Sequence, residues 1–320
     1  MAVCFAVLAK SADLFVDSAV GIAEKISVPK MIIGIFLVGI ATTAPELAVS
    51  IMSAIKGNPE FALGNAVGSV ICNSGLAMAA AALFSAGAII IIPAVLKTAG
   101  IVLIIVNILA FLFIIPDNTL GRIEGALLLS CFGLYTIFII KTQRKRKKPI
   151  LPAGDIPDIE QEIKGKPLYL LTGMFLLGLA GIIGSSHFII DSAVDIADMF
   201  SIPETVIALT LIALGTSIPE VATCIISVRK GHGEIAVGNI IGANILNICW
   251  VAGASSLANP LTVGRKEICF MFPAMFVIVG AMLTMMRTEY RLKKIHGFIL
   301  LSLYVIYLIF MFILFPPNVS

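Results

Sequence analysis

Long apolar runs separated by short polar stretches make up almost the whole chain. Most runs hold about 20 residues, the length that an α-helix needs to cross roughly 30 Å of hydrocarbon. None shows the alternation over about ten residues that is typical of an outer-membrane β-barrel strand. We therefore predict an all-α membrane protein with ten transmembrane helices, over residues 2–23, 31–55, 62–85, 88–115, 122–141, 168–193, 204–228, 236–258, 267–287 and 293–315.

The composition supports this prediction. Hydrophobic residues make up 59% of the chain, charged residues 13%, and the mean hydropathy is +1.06. A soluble domain is about half apolar and about a quarter charged, so a soluble protein is excluded. The net charge of +3 says nothing about nucleic acid, because the basic residues lie in loops, and we expect no nucleic-acid partner. The first run has no basic segment ahead of it and no small-residue cleavage site, so we expect a helix and not a signal peptide.

One long polar segment, Thr142–Lys166, divides the apolar runs into two sets of five. We expect a first five-helix repeat at 1–141, a linker at 142–167 and a second five-helix repeat at 168–320. The linker begins with the basic run Arg144–Lys148, and the loops on its side are richer in Lys and Arg than the opposite loops. By the positive-inside rule, the linker should be cytoplasmic and both termini outside. We expect a multi-pass plasma-membrane protein that contacts the lipid bilayer and works as a monomer.

The two halves are copies of one another. Adding 174 to a residue number aligns Ser11–Asn73 with the second half without a gap and gives 26 identities in 63 positions. The matches include polar residues such as Glu46 with Glu220 and Asn73 with Asn247, which chance similarity of apolar helices would not produce. Because each half has an odd number of helices, the second half must enter the membrane in the opposite orientation to the first. Such inverted repeats are typical of secondary transporters, whose sites lie near the midplane where the repeats meet.

One motif in each half places a carboxylate within an apolar run. The first copy, Thr42–Glu46, reads Thr-Thr-Ala-Pro-Glu, and the second, Thr216–Glu220, reads Thr-Ser-Ile-Pro-Glu. A charge at this depth costs about 2.5–3.5 kcal/mol, so it needs a partner and usually serves a function. We predict that the two glutamates face each other and hold a cation.

The other residues of the motif offer further oxygen ligands. Thr42 and Glu46 are four residues apart and share a helix face. Pro45 has no N–H group, so it frees the carbonyl of Ala41, and Pro219 does the same in the copy. Oxygen-only ligation suits hard cations such as Ca²⁺. The sequence therefore predicts a calcium site made by both motifs.

The third and eighth predicted helices add polar residues. Ser69 and Asn73 lie four residues apart on one helix face, and Asn247 is the copy of Asn73. Asn65 and its copy Asn239 either hold helices together or contribute to the site, and the residues alone leave both readings open.

Acidic residues also lie in the first and sixth predicted helices. Lys10 and Asp13, three residues apart, predict a local ion pair. Asp17 and its copy Asp191 are expected to cap a helix or to pair with a base.

At these motifs the chain resembles the prokaryotic sodium/calcium exchangers of the cation/calcium antiporter superfamily. The resemblance implies the sodium/calcium-exchanger fold and no cofactor, with Ca²⁺ and Na⁺ as the transported ions. It implies that Glu46, Glu220, Thr42 and Thr216 bind Ca²⁺. The Na⁺-binding or supporting positions that it implies are Ser69, Asn73, Asn247, Thr43, Ser217 and the carbonyls of Gly39 and Ala213.

Three positions depart from the usual family pattern, and the mildest departure is Thr43 in place of a usual serine. Ala243 stands where the second repeat usually has a serine, and Asn247 where many relatives have an aspartate, which weighs against a K⁺-dependent exchanger. The proton/calcium branch usually carries a glutamate where this chain has Gly68 and Gly242, so sodium is favoured over protons. The leading interpretation is a Na⁺-driven antiporter that exports Ca²⁺ and is not an enzyme. The alternatives are a H⁺/Ca²⁺ or K⁺-dependent exchanger and, from another class, a cation channel.

Overall fold

A computed structural model describes residues 2–26, 28, 30–144, 166–199 and 213–315. Within these residues, ten helical segments occupy the positions of the ten predicted spans, and we number them α1 to α10. Six are continuous helices: α1 (Ala2–Lys25), α4 (Pro93–Ile114), α5 (Arg122–Arg144), α6 (Leu168–Met199), α9 (Arg265–Arg287) and α10 (Lys294–Leu314).

The other four segments change their helical geometry along their length. Three contain a π-helical turn, a rare irregularity that is frequent at functional sites, and the fourth is interrupted at Ser217. They are α2 (Lys30–Ile33, π turn Gly34–Val38, Gly39–Ile55), α3 (Pro59–Cys72, π turn Asn73–Ala77, Met78–Phe84), α7 (Ala213–Thr216, Ile218–Arg229) and α8 (Gly233–Leu246, π turn Asn247–Ala252, Gly253–Ala258).

Eight of the described segments are long and apolar enough to cross a membrane, and α1 and the described part of α7 are not among them. The start of the seventh predicted span, 204–212, and most of the predicted linker, 145–165, lie outside the described residues. The helix α5 continues to Arg144, past the predicted end of the fifth span.

Two short strand pairs join the halves. Strand β1 (Ile89–Ile90), after α3, pairs antiparallel with β4 (Arg291–Leu292), after α9. Strand β2 (Thr119–Leu120), after α4, pairs with β3 (Leu261–Thr262), after α8. The first pair joins loops that follow two odd-numbered helices, and the second joins loops that follow two even-numbered helices. Helices that alternate in direction across the membrane would place the two loops of each pair on the same side. We call the side of the β1–β4 pair and the 229–232 turn the linker face, because α5 also ends there.

The helices α1 and α6 pack on each other and form an apolar cluster of their own, with contributions from α2, α7 and α8. The ring of Phe15 stacks on that of Phe175 with centroids 4.4 Å apart. A Cβ on Gly178 would lie 2.8 Å from the backbone nitrogen of Phe15, so the two helix backbones touch. The main apolar core is built from the other eight segments. The α1–α6 pair is thus a separate layer against the bundle.

Within the bundle, α2 and α8 also meet backbone to backbone. A Cβ on Gly34 would lie 2.6 Å from the carbonyl oxygen of Ile235, and one on Gly242 would lie 2.6 Å from the Cα of Ile35. Glycine allows this close contact, since small residues let membrane helices approach closely. It fixes the height of α2 relative to α8.

An ion-pair cluster ties α1 to the linker face. The ammonium of Lys230, in the turn after α7, lies 2.7 Å from a carboxyl oxygen of Asp17 and 3.3 Å from one of Asp13. The predicted pairing of Asp17 with a base is confirmed. The predicted pair of Lys10 with Asp13 is wrong, because Asp13 turns to Lys230 of the other repeat while Lys10 is exposed.

Replacing Gly242 by alanine should lower the melting temperature of the purified protein in detergent. The added methyl group would collide with the backbone of Ile35, which cannot move aside as a flexible side chain can. Gly280→Ala is the matched control, since a Cβ there meets no described atom within 4 Å and alanine is favoured over glycine in helices. Equal melting temperatures for the two variants would contradict the close α2–α8 contact.

Candidate cation-binding site

The two motif glutamates lie in the interior where α2, α3, α7 and α8 contact one another. Glu46 in α2 and Glu220 in α7 are completely buried, with 0% of each side chain exposed. Their carboxyl groups are close enough for the charges to interact, and the hydroxyl groups of Thr42 and Thr43 lie near the Glu220 carboxyl group. The structure thus brings the two copies of the motif together.

Polar atoms without a hydrogen-bond partner are concentrated at this place. All four carboxyl oxygens of Glu46 and Glu220 are buried and accept no hydrogen bond from the described residues. A buried polar group without a partner costs about 1–3 kcal/mol, and more if it is charged. Five further predicted site residues are fully buried with at least one unpartnered polar side-chain atom among the described residues: Thr43, Ser69, Asn73, Ser217 and Asn247.

The backbone around these side chains departs from a regular helix. The π turns of α3 and α8 begin at Asn73 and Asn247 themselves. In α7 the helix is interrupted at Ser217, and it resumes at Ile218 with Pro219 in its first turn. In α2 the helix is continuous from Gly39 to Ile55 with Pro45 inside it, and its π turn lies just ahead. The motifs are therefore equivalent in sequence but differ in backbone shape.

The two motif threonines are bonded crosswise between the repeats. The hydroxyl of Thr42 donates to the amide oxygen of Asn239 at 3.2 Å, and that of Thr216 donates to the amide oxygen of Asn65 at 3.3 Å. Asn65 and Asn239 therefore do join helices, as one of the two open readings expected, and what they join is the site's own threonines.

The structure gives a contact for one of the two predicted carbonyl ligands, that of Gly39, and only a position in the helix for the other, that of Ala213. The carbonyl oxygen of Gly39 lies 3.4 Å from the Thr42 hydroxyl, within hydrogen-bond distance, and so lies at the site. Ala213 is the first described residue of α7 and is helical. Ala243, the departure from the family pattern, is completely buried.

The structure also reveals polar contacts that the motifs did not predict. Asn244 in α8 donates to the hydroxyl of Ser74 in the α3 π turn at 2.8 Å, and the repeat gives no signal for it because the copies are Val70 and Ile248. Ser50 accepts from the Asn65 amide at 2.9 Å. Its copy is Cys224, so the repeat offset could have indicated that contact.

The donor set favours a hard cation. The unpartnered atoms are carboxyl, hydroxyl and amide groups, which suit Ca²⁺ and Na⁺ rather than soft metals. Within the described ranges, no group of three or more His, Cys, Asp or Glu side chains could hold a metal ion. Two buried carboxylates would repel each other unless a cation lay between them.

Residues 1–141 and 170–313 match the sequence family described as "Sodium/calcium exchanger protein". The chain belongs to the sodium/calcium exchanger family. This exchanger is 30% identical to the sodium/calcium exchanger MaX1 of Methanosarcina acetivorans, with 95% of each chain covered. It is 35% identical to the inner membrane protein YrbG of Escherichia coli, over 78% of this chain and 76% of YrbG.

Solved structures of the sodium-calcium exchanger NCX_Mj share the fold of this exchanger. NCX_Mj soaked with 100 mM Na⁺ and 10 mM Sr²⁺ superposes with a TM-score of 0.81 at 25% identity, over 96% of this chain and 95% of that one. NCX_Mj without Na⁺ and Ca²⁺ gives a TM-score of 0.80 over 96% of each chain. The predicted family and the predicted exchanger fold are confirmed. The exchanger is a multi-pass membrane protein of a cation/Ca²⁺ antiporter family.

Ca²⁺ should raise the melting temperature of the purified exchanger, because an ion between the two buried carboxylates removes their repulsion. At about a hundred times its Kd, a ligand specific for the folded state adds about 2.7 kcal/mol of stability. A Glu46→Gln/Glu220→Gln double variant should melt at a higher temperature without the ion and gain nothing from it.

Thermal melts in detergent with and without Ca²⁺ measure both effects. The matched control is Glu60→Gln, which changes an exposed glutamate at the start of α3 and should keep the full response to Ca²⁺. A double variant that still responds would contradict the carboxylate site.

Proposed function

We propose that this exchanger exports Ca²⁺ in exchange for Na⁺ through one site that the two repeats share. Glu46 and Glu220 supply two negative charges, which one Ca²⁺ neutralises, and Thr42 and Thr216 supply hydroxyl oxygens. The proposal rests mainly on one observation: where α2, α3, α7 and α8 meet, four carboxyl oxygens are fully buried and accept no hydrogen bond from the described part of the chain. The name of the relative MaX1 supports sodium as the driving ion.

Sodium would occupy positions beside the calcium site. The candidate ligands are buried polar groups of the same four helices, and their side chains include atoms that have no hydrogen-bond partner among the residues that the structure describes. They are Ser69, Asn73, Asn247, Thr43 and Ser217, with the carbonyls of Gly39 and Ala213.

Exchange follows from exclusive occupancy. Two carboxylates neutralise either one Ca²⁺ or a set of Na⁺ ions, and both sets together would leave excess positive charge in a medium of low dielectric constant. If more than two Na⁺ enter for each Ca²⁺ that leaves, net charge crosses the membrane and the cycle responds to voltage, by about 2.3 kcal/mol per charge per 100 mV.

Alternating access would come from the α1–α6 layer. These two helices touch each other closely and share an apolar cluster apart from the main core, so they can slide as a unit along the other eight segments. The Lys230 contacts to Asp13 and Asp17 hold α1 to the linker face in the present conformation.

The linker face is proposed to be cytoplasmic. Basic residues in its described turns and at the helix ends beside them include Lys25, Lys30, Lys230 and Lys293. The positive-inside rule places such connections in the cytoplasm. Both termini would then lie on the outer side of the plasma membrane. The two five-helix repeats, 1–141 and 168–320, would form a complete site within a monomer.

In proteoliposomes, uptake of ⁴⁵Ca²⁺ should require an opposing Na⁺ gradient. Glu46→Gln or Glu220→Gln should each abolish the uptake, because one remaining carboxylate cannot neutralise Ca²⁺. Glu60→Gln should transport normally. Near-normal uptake in either site variant would refute the site assignment.

The same vesicles separate the candidate driving ions. Replacing the Na⁺ gradient with a pH gradient should reduce uptake to background. Uptake driven by the pH gradient alone would favour H⁺/Ca²⁺ exchange, and uptake without any opposing gradient would indicate a channel.

Ser69→Ala should raise the Na⁺ concentration needed for half-maximal exchange by about tenfold, the equivalent of about 1.4 kcal/mol for an oxygen contact to a charged group. Ala243→Ser should lower that concentration, because it adds a hydroxyl at the pseudo-equivalent buried position. Half-maximal Ca²⁺ concentrations measured in parallel should change less than those for Na⁺. If Ser69→Ala leaves the Na⁺ dependence unchanged, Ser69 is not a sodium ligand.

A further inference from the structure

A hydroxyl group that binds a cation must present a lone pair to it, so its hydrogen has to point elsewhere. Thr42 and Thr216 each meet this condition through a residue of the opposite repeat. The acceptors are the amide oxygens of Asn239 at 3.2 Å and of Asn65 at 3.3 Å. Both amides are buried, with 0% and 5% of the residue exposed, so water does not compete for these bonds.

Each amide is held from its other end, which fixes the direction in which its oxygen points. The nitrogen of Asn65 donates to the hydroxyl of Ser50 at 2.9 Å and to the carbonyl of Glu46 at 3.4 Å. The nitrogen of Asn239 contacts the sulfur of Cys224 at 3.9 Å. A reversed amide would aim N–H groups at the threonine oxygen and occupy the lone pair that a cation needs.

We propose that Asn65 and Asn239 are positioning residues that take up the hydroxyl hydrogens of Thr216 and Thr42 and so turn both oxygens toward the ion. The inference rests on the proposed calcium site. It also gives the crosswise bonds a purpose beyond helix packing: each repeat orients a ligand that the other repeat supplies. Groups that orient metal ligands in this way typically change affinity by about 10–100-fold when they are lost.

Losing Asn239 would cost more than one hydrogen bond. The hydrogen of Thr42 could turn to the carbonyl of Gly39, at 3.4 Å, or to the neighbouring Glu220 carboxyl group. If it turned to Glu220, the Thr42 hydrogen would occupy a lone pair of the carboxylate that the cation needs. Its partial positive charge would also point toward the cation. The ion would meet two weakened ligands instead of one.

The two copies of this arrangement differ in strength. Ser50 holds Asn65 with a short hydrogen bond, whereas the thiol of Cys224, its copy, is a weak acceptor at a longer distance. Asn239, and through it Thr42, is therefore held less firmly than Asn65 and Thr216. Cys224→Ser should tighten Ca²⁺ binding severalfold, and Ser50→Ala should weaken it.

Double-mutant cycles test the crosswise assignment. Calorimetric titration of Ca²⁺ in detergent should give a Kd about tenfold weaker for Asn239→Leu, and a similar loss for Thr42→Val. Combining these two should add little further loss, because both remove the same interaction. Combining Asn239→Leu with Thr216→Val should multiply the two losses of affinity. For Asn65→Leu we expect the opposite: little further loss with Thr216→Val and multiplied losses with Thr42→Val. Asn239→Asp, which keeps the acceptor oxygen, should bind Ca²⁺ more tightly than Asn239→Leu.

Several results would overturn the inference. The first is an unchanged Kd for Ca²⁺ in Asn239→Leu. The second is a loss of affinity that multiplies as fully when Asn239→Leu is combined with Thr42→Val as when it is combined with Thr216→Val. The third is weaker Ca²⁺ binding in Cys224→Ser. The last variant keeps the inference testable if the leucine variants fail to fold. Titration of Glu46→Gln and Glu220→Gln separates the two levels: retained Ca²⁺ binding there contradicts the proposed site itself, whereas lost binding with additive cycles contradicts only the role of the asparagines.

Discussion

Two carboxyl groups buried in the middle of a membrane bundle constrain the rest of this molecule. Glu46 and Glu220 are fully enclosed and receive no hydrogen bond from the described residues. Such groups are costly unless a cation joins them. Buried hydroxyl and amide side chains accompany them, and the helix break at Ser217 and the π turns at Asn73 and Asn247 occur in the same group of helices. In the proposed site these groups supply oxygen ligands to the ion.

Rigid packing and a separable layer coexist around the site. The backbones of α2 and α8 touch at Gly34 and Gly242, which fixes the glutamate of one repeat against the helix that carries the other repeat's asparagines. The α1–α6 pair has its own apolar cluster and is joined to the linker face by Lys230. The proposed alternating access requires this division, because the ion ligands would have to keep their geometry while the α1–α6 layer moves.

Much of the fold was readable from the sequence because the two halves constrain each other. The offset of 174 residues aligned Glu46 with Glu220 and indicated inverted repeats. The apolar runs located the described helix ends to within about six residues, the largest differences being the start of α4 and the end of α6. Apart from the approach of the two glutamates, contacts between the halves could not be predicted, because a sequence repeat shows which residues are equivalent and not which residues are close in space. The bonds of Thr42 to Asn239 and of Ser74 to Asn244 join side chains with no sequence relation. The pairing of Asp13 with Lys230 was missed for the same reason, since local spacing favoured Lys10.

The central claim is that one cation lies between Glu46 and Glu220 and that Na⁺ displaces it. Anomalous scattering from crystals soaked in Sr²⁺, a heavier stand-in for Ca²⁺, tests this claim most directly. We expect one strong peak between the two carboxyl groups, lost when Na⁺ is present in excess. A peak at any other place, or one that excess Na⁺ does not remove, would contradict the account.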